Sequence, residues 1–434
     1  MENNRPSWTS KYSFILATIG STVGLGNIWR FPYIMGQNGG AVFLITYFLL
    51  ITTICFIPLL AELAVGKITK KECIGAYEMV SPKLKILGAM NPITGVFVAS
   101  FYFVVGGWII HYIYQSLVNV KITDYAAHFN GVIQDTIPAC ILTILFLFLC
   151  IFFTVRGVKK GIEFANNVLM PMLAVILLGL VIFSLNLPNA HLGLEYMFKP
   201  DFSKMNGQMF LAALGQALFT LSIGMGALLT YGSYIKEDKN IAKSAYTIIC
   251  CDTIFALMAG IMIFPAIFSF GLEPSSGPGL VFVTLPQIFS QIHYGSIVAF
   301  SFFVLLLVAA LTSGISILEV PVASMVERLK ITRLKACVIL FLIISCISIP
   351  ACLSFGIMSD FTIMKKTFFD FLDFSTANVL MPLNALILCL VAGWGLKIKG
   401  EMFISNKLAS TIFDIVLKFV APIMFVCLLI IGLQ

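Results

Sequence analysis

The apolar run from Tyr12 to Met35 is long enough to cross a bilayer, yet its middle makes a poor helix. Gly20, Gly24 and Gly26 fall close together, and each costs about 1 kcal/mol relative to alanine in a helix interior. Asn27 and Arg30 follow where a plain anchor would place leucine. Freed backbone groups and polar side chains at membrane depth must be satisfied by protein or by water in a cavity. Residues 20–33 therefore read as a helix that breaks near its middle and offers amides and carbonyls to a ligand. The alternative is a kinked anchor whose glycines only permit close packing. Asn27 and Arg30 weigh against it.

The whole composition makes the bilayer the relevant solvent. Of 434 residues, 59% are hydrophobic and 11% charged, which predicts an all-α polytopic membrane protein. The net charge of +7 does not imply nucleic acid, because the basic residues lie in short loops rather than in one patch. The N-terminus has no basic region followed by an A-x-A-like cleavage site, so the first helix is expected to be retained. Of eleven cysteines, ten lie in or beside apolar runs and Cys73 lies in a basic loop, so no structural disulfide is expected. The four histidines are scattered and no C-x-x-C pair occurs, so no zinc site is expected.

Eleven membrane helices follow from the apolar runs: 1 (12–35), 2 (41–65), 3 (90–117), 4 (137–155), 5 (163–184), 6 (from 207), 7 (243–271), 8 (294–328), 9 (334–353), 10 (372–395) and 11 (411–432). Residues 66–88, 119–135, 186–207 and 272–292 read as loops. Helix 6 is the second poor helix. Gln216, Thr220 and Ser222 interrupt it, and Gly224 and Gly226 follow. With the N-terminus inside, the tail and the loops after helices 2, 4, 6, 8 and 10 hold 20 of the 27 Lys and Arg, as the positive-inside rule requires. The C-terminus then lies outside. Helices 1–5 (12–184) and 6–10 (207–395) have opposite topology, and helix 11 (411–432) follows them within a single transporter domain, 1–434. Interrupted segments at matching positions of two inverted halves point to a transport site at the midplane.

The residues Gly24-Leu25-Gly26-Asn27-Ile28-Trp29-Arg30-Phe31-Pro32-Tyr33, with Gln37-Asn38-Gly39-Gly40-Ala41 and Phe43 after them, resemble the first-helix signature of the neurotransmitter:sodium symporter family. Gly215 to Ser222 resembles the unwound sixth helix of its bacterial amino-acid transporters, and Leu311-Thr312-Ser313 resembles its eighth helix. The resemblance covers nearly the whole chain. The chain ends after helix 11, as some bacterial members do, rather than after a twelfth. It implies a 5+5 inverted repeat with discontinuous helices 1 and 6, the LeuT-like fold, in a bacterial inner membrane.

The resemblance also implies roles. One sodium would take the Thr22 carbonyl, Asn27, Thr220, Asp252 and the substrate carboxylate. A second would take the carbonyls of Gly20, Val23 and Ala309 and the hydroxyls of Thr312 and Ser313. Back-bonding to the preceding turn is the plain reading of those two hydroxyls. The amides of Leu25 and Gly26 suit a carboxylate, because a helix N-terminus favours an anion. Tyr102 would donate to the same carboxylate. Carbonyls around Thr22, Phe219 and Thr220, with the Ser222 hydroxyl, would meet the ammonium. Val98, Phe219, Met225 and Ile317 would line the side-chain pocket, beside Gly314, although plain core is the simpler reading of their spacing. Met225 can contact an aromatic ring, which tilts the expectation toward a large apolar or aromatic amino acid, tyrosine included.

For gates, the resemblance pairs Arg30 with Asp373 on the outside, with Tyr102 and Phe219 closing over the substrate. It pairs Arg5 with Glu327 on the inside, packed by Trp8 and Tyr234. Asp370 and Asp360 compete with Asp373 for the first role, and aspartate is expected where Glu327 stands. Many animal members need chloride, held partly by a helix-7 serine where this chain has Ala256. Tyr47, Gln216 and Thr220, the other chloride-contacting positions, are present. Asp252 can supply the missing charge, so chloride independence is expected, with a proton on Asp252 during the return step as a further option. The expected function is sodium-coupled import of an amino acid by alternating access. A proton-coupled relative and a non-transporting sensor are the alternatives. An intramembrane enzyme is disfavoured because no H-E-x-x-H or similar motif occurs.

Overall fold

The computed structural model describes residues 5–118, 122–236, 240–272 and 277–433. Nine helices among them are long and apolar enough to cross a membrane. They are Ala41–Thr69 (helix 2), Pro82–Val118 (3), Thr136–Thr154 (4), Val158–Leu185 (5), Ile241–Ser269 (7), Gly295–Leu329 (8), Arg333–Leu353 (9), Phe368–Gly395 (10) and Lys407–Gly432 (11). The architecture is all-α and polytopic.

The sequence predicts eleven crossings, and the difference is helices 1 and 6. Neither is continuous. Helix 1 runs over Lys11–Thr22, then turns at Val23, whose backbone is extended (φ −77°, ψ 96°). It resumes as a wide π-type turn over Gly26–Arg30 and an α-helix over Phe31–Gln37, with Pro32 in its first turn, where a missing amide costs nothing. Helix 6 runs over Gly207–Thr220 and Ala227–Ser233. Between them Ser222, Gly224 and Gly226 all have positive φ (53°, 82° and 82°), which ends the α-helical ladder. At 1.5 Å per residue each piece is too short to span the hydrocarbon core alone.

The two broken helices meet at the centre of the bundle. The first half of helix 1 packs against helices 5, 7 and 8. The second half of helix 6 lies on the end of helix 2, and glycines on both sides permit the contact. A Cβ on Gly66 would fall 2.0 Å from the Leu229 carbonyl oxygen, and one on Gly232 would fall 2.5 Å from that of Leu63. Small residues at a crossing let backbones approach, which is how helices associate where lipid supplies no hydrophobic drive.

The connections differ from the loops expected. Helical pieces occupy Cys73–Glu78, Tyr125–Gln134, Ala190–Phe198 and Leu285–Phe289. Local caps start two of them. The Glu72 carboxylate accepts from the amides of Ile74 and Gly75 (both 2.7 Å), and that of Asp124 accepts from Ala127 (2.9 Å). Residues 119–121 and 273–276 of these connections lie outside the described residues. A two-stranded ribbon, Thr362–Ile363 with Lys366–Thr367, precedes helix 10.

Candidate functional site

Asp252 on helix 7 is fully buried, between the two breaks. Its carboxylate accepts from the Asn27 side-chain amide (2.9 Å) and from the Thr220 hydroxyl (3.1 Å). Asn27 belongs to the second half of helix 1, and Thr220 ends the first half of helix 6. The carboxylate thus ties both breaks together. Both partners are neutral, and an ionised carboxylate held only by neutral donors in a dry interior is costly unless a cation joins it. The Asn27 side-chain oxygen accepts from the Gly24 amide (3.0 Å), which braces the turn and leaves its second lone pair for a cation.

Hydrogen bonds link four of the five residues predicted for the second cation in two pairs. The Ser313 hydroxyl on helix 8 donates to the Gly20 carbonyl on helix 1 (3.3 Å). The Thr312 hydroxyl donates to the carbonyls of Ala309 (3.0 Å) and Val308 (3.1 Å). This is the back-bonding expected of a helical threonine, and it leaves the hydroxyl lone pairs available. Val23 lies in the extended turn directly after Thr22, whose own hydroxyl donates to Ile19 (3.2 Å).

Three residues of the predicted substrate set, Tyr102, Ser313 and Phe219, lie at the same turn. The Tyr102 hydroxyl is buried with no hydrogen-bond partner among the described residues. A Cβ on Gly24 would fall 2.8 Å from the Ser313 Oγ and 3.6 Å from the Tyr102 hydroxyl, so helices 3 and 8 close on the break from one side. From the other side, a Cβ on Gly26 would fall 2.9 Å from the Phe219 ring, which lies over the turn holding Leu25 and Gly26. The Ser222 hydroxyl donates across the breaks to the Ser21 carbonyl (3.3 Å). Leu25, Val98, Met225 and Ile317 are buried apolar side chains. Tyr47 and Ala256 are buried too, and the Gln216 amide donates to the Gly26 carbonyl (3.5 Å).

The two ends of the bundle differ. Towards helices 10 and 11, the Arg30 guanidinium stacks on the Phe219 ring, 4.2 Å from its centroid. Arg30 and Asp373 feel each other's charge but make no direct ion pair among the described residues. Arg30 and Phe219 instead border a cavity of about 300 Å³ between helices 6, 10 and 11. At the N-terminal end the seal is dense. Arg5 pairs directly with Glu327 and donates to the Lys70 carbonyl (3.0 Å). The Trp8 indole donates to the Tyr231 carbonyl (3.0 Å), the Trp8 amide donates to that of Tyr234 (3.2 Å), and Arg5 lies over the Tyr234 ring (5.3 Å).

Several participants are not on the list read from the sequence. The buried Glu62 carboxylate on helix 2 accepts from the Gly224 amide (3.2 Å) and so holds the unwound part of helix 6. The Tyr234 hydroxyl donates to Glu319 (2.6 Å), a fully buried carboxylate that also takes Arg333 through both of its oxygens. Glu163 holds the Thr9 amide (3.2 Å) and hydroxyl. A carboxylate inside an apolar run was the available signal for Glu62 and Glu319, since such groups are expensive without partners.

The chain resembles known proteins along nearly its whole length. The model of the sodium:neurotransmitter symporter family matches residues 5–128 and 119–434. An uncharacterized sodium-dependent transporter of Bacillus subtilis (YhdH) is 38% identical over 397 residues, covering 90% of this chain and 88% of that one. An uncharacterized sodium-dependent transporter of Haemophilus influenzae is 35% identical and covers 99% of this chain and 98% of its own. The crystal structure of MhsT in complex with L-phenylalanine superposes with a TM-score of 0.89 at 41% identity, covering 98% of this chain and 99% of that one. With a family model along almost its full length and relatives that it spans nearly end to end, this chain is a member of the sodium:neurotransmitter symporter family, a multi-pass membrane transporter of the sodium-dependent kind.

Proposed function

We propose that the chain imports a large apolar or aromatic L-amino acid, tyrosine or phenylalanine among them, in symport with two sodium ions and without chloride. The observation that carries this reading is the buried Asp252 carboxylate, bonded to Asn27 and Thr220 at the meeting of two broken helices with no cationic side chain paired to it among the described residues. Sodium at the first position neutralises it and shares the substrate carboxylate. The orphan Tyr102 hydroxyl and the turn at Leu25 and Gly26 receive the same carboxylate, and carbonyls around Thr22, Phe219 and Thr220 receive the ammonium. The second sodium takes Gly20, Val23, Ala309, Thr312 and Ser313. The L-phenylalanine bound to MhsT supports an aromatic substrate, whose side chain lies among Val98, Phe219, Met225 and Ile317 in this reading.

In this reading helices 1 and 6 count as crossings 1 and 6 of eleven, with the N-terminus cytoplasmic and the C-terminus outside a bacterial inner membrane. Helices 1, 2, 6 and 7 rock against the rest. Arg5–Glu327, Trp8 and Tyr234 form the inner gate, and Arg30, Asp373, Tyr102 and Phe219 form the outer one. The test is uptake of labelled phenylalanine and tyrosine into proteoliposomes driven by a sodium gradient, with chloride replaced by gluconate. Uptake that survives the replacement and collapses without the sodium gradient fits; uptake that follows chloride, or that a proton gradient alone drives, does not.

A further inference from the structure

A cavity of about 370 Å³ lies at the N-terminal end of the bundle, between the segment before helix 1 and the ends of helices 2, 6 and 8. Its lining carries four cationic side chains, Arg5, Lys70, Lys71 and Arg333, and one carboxylate, Glu327. The charges do not balance. Arg333 is matched by buried Glu319. Arg5 meets Glu327 and the Lys70 carbonyl through Nη1, while its buried Nε and Nη2 have no hydrogen-bond partner among the described residues. The Lys70 ammonium donates to a neutral group, the Ile235 carbonyl. Lys71 is exposed, and among the described residues it makes no hydrogen bond or ion pair. Burial and the charges of Lys67 and Arg5 hold the Lys70 ammonium below the usual lysine pKa, the response of a cation in a place short of negative charge. The backbone reinforces the cluster. Lys70 ends helix 2 in a left-handed conformation (φ 51°), and that turn brings Lys70 and Lys71 to the same mouth.

We propose that this cavity binds a phosphate-class oxyanion that bridges Arg5, Lys70 and Lys71 and fastens the N-terminal segment across the inner mouth. A tetrahedral oxyanion suits the combination of a guanidinium with free donors and two ammonium groups. The ligand favours one conformation only as far as it binds that conformation better. The geometry supplies the difference, because Arg5 and Glu327 share a wall of the cavity and separate when the gate opens. The bound anion therefore slows opening to the inside. This regulatory consequence rests on the gate assigned above, whereas the binding itself does not. Free phosphate and a phospholipid headgroup offer the same chemistry, and a membrane surface concentrates the latter beside juxtamembrane lysines.

The experiment uses the full chain in nanodiscs, which expose both faces. One preparation holds phosphatidylcholine alone and is titrated with inorganic phosphate against sodium chloride of equal ionic strength. The other contains phosphatidylglycerol and no phosphate. Either phosphate raises the unfolding temperature of the first by about 2 °C, or phosphatidylglycerol raises that of the second and makes added phosphate silent, which identifies the lipid as the source. In both cases Lys71→Gln removes the shift and Lys71→Arg retains it. Equal unfolding temperatures throughout, or a shift that Lys71→Gln does not reduce, overturns the proposal. Sodium-dependent amino-acid binding is scored in the same nanodiscs. Its absence beside an intact, Lys71-dependent shift counts against the transport reading and not against this site.

Discussion

Asp252 concentrates the account at the scale of a residue. Its carboxylate has neutral partners from two helices and is fully buried, so a cation is what makes its charge tolerable there. Asp252→Ser removes that charge where Ala256 supplies no anion ligand. The variant is expected to transport only with chloride present, measured as uptake in chloride against gluconate; equal uptake in both would remove the argument for chloride independence. Asp252→Asn retains both hydrogen-bond partners but not the charge, and should weaken sodium activation of substrate binding at least ten-fold, about 1.4 kcal/mol in coupling. The resemblance assigns Asp252 to a sodium site with Asn27 and Thr220, and hydrogen bonds join the three residues. Its neighbour in role, Glu62, was legible only as an ionisable group near a helix end. Its partner, the Gly224 amide, lies 162 positions away and carries no side-chain signature.

At the scale of an element, the breaks are what the glycines and polar residues of helices 1 and 6 predict, and they appear where predicted. The breaks also explain why nine spans are found among the described residues where eleven crossings are read. A hydropathy pattern sums over a run, whereas a helix ends at individual dihedral angles. The turn in helix 6 depends on Gly224, whose φ is 82° and whose missing Cβ would fall 2.3 Å from the Met381 carbonyl oxygen. Gly224→Ala should lose about 1–2 kcal/mol to backbone strain alone, with the overlap added, and should lower the unfolding temperature and abolish amino-acid binding together. Gly26→Ala meets the Phe219 ring instead of backbone, so it should fold and lose affinity for large substrates first, read as a raised half-saturation with retained stability. The short helices in the connections were not legible. They are too brief for periodicity to register, and side-chain caps such as Asp124 and Glu72 start two of them.

At the scale of the whole molecule the two ends are unequal. The N-terminal end is held by Arg5–Glu327, Trp8, Tyr234 and the buried Glu319–Arg333 pair, while Arg30 on the other side stacks on Phe219 without direct contact to Asp373. The sequence resemblance names the gate pairs but not their depth, because Glu319, inside helix 8, and Arg333, at the start of helix 9, lie outside the motifs that carry it. Arg5→Ala removes a partly exposed pair worth about 1 kcal/mol or less. It should therefore shift the proposed inner gate toward open by a factor of about five or less, read as faster labelling of a cysteine placed below the site, without unfolding the protein. Glu319→Gln leaves Arg333 without its buried counter-charge and should cost about 3–5 kcal/mol, read as a large fall in unfolding temperature.

The central claim is that sodium and an aromatic amino acid share one site at the meeting of the two breaks. Scintillation-proximity binding of labelled phenylalanine to the purified protein, titrated with sodium at constant ionic strength, addresses it directly. The account predicts saturable binding that requires sodium, competition by tyrosine and leucine, and loss in Asn27→Ala and Thr220→Ala. Binding that is unchanged when sodium is replaced by potassium, or that survives both substitutions, would contradict it.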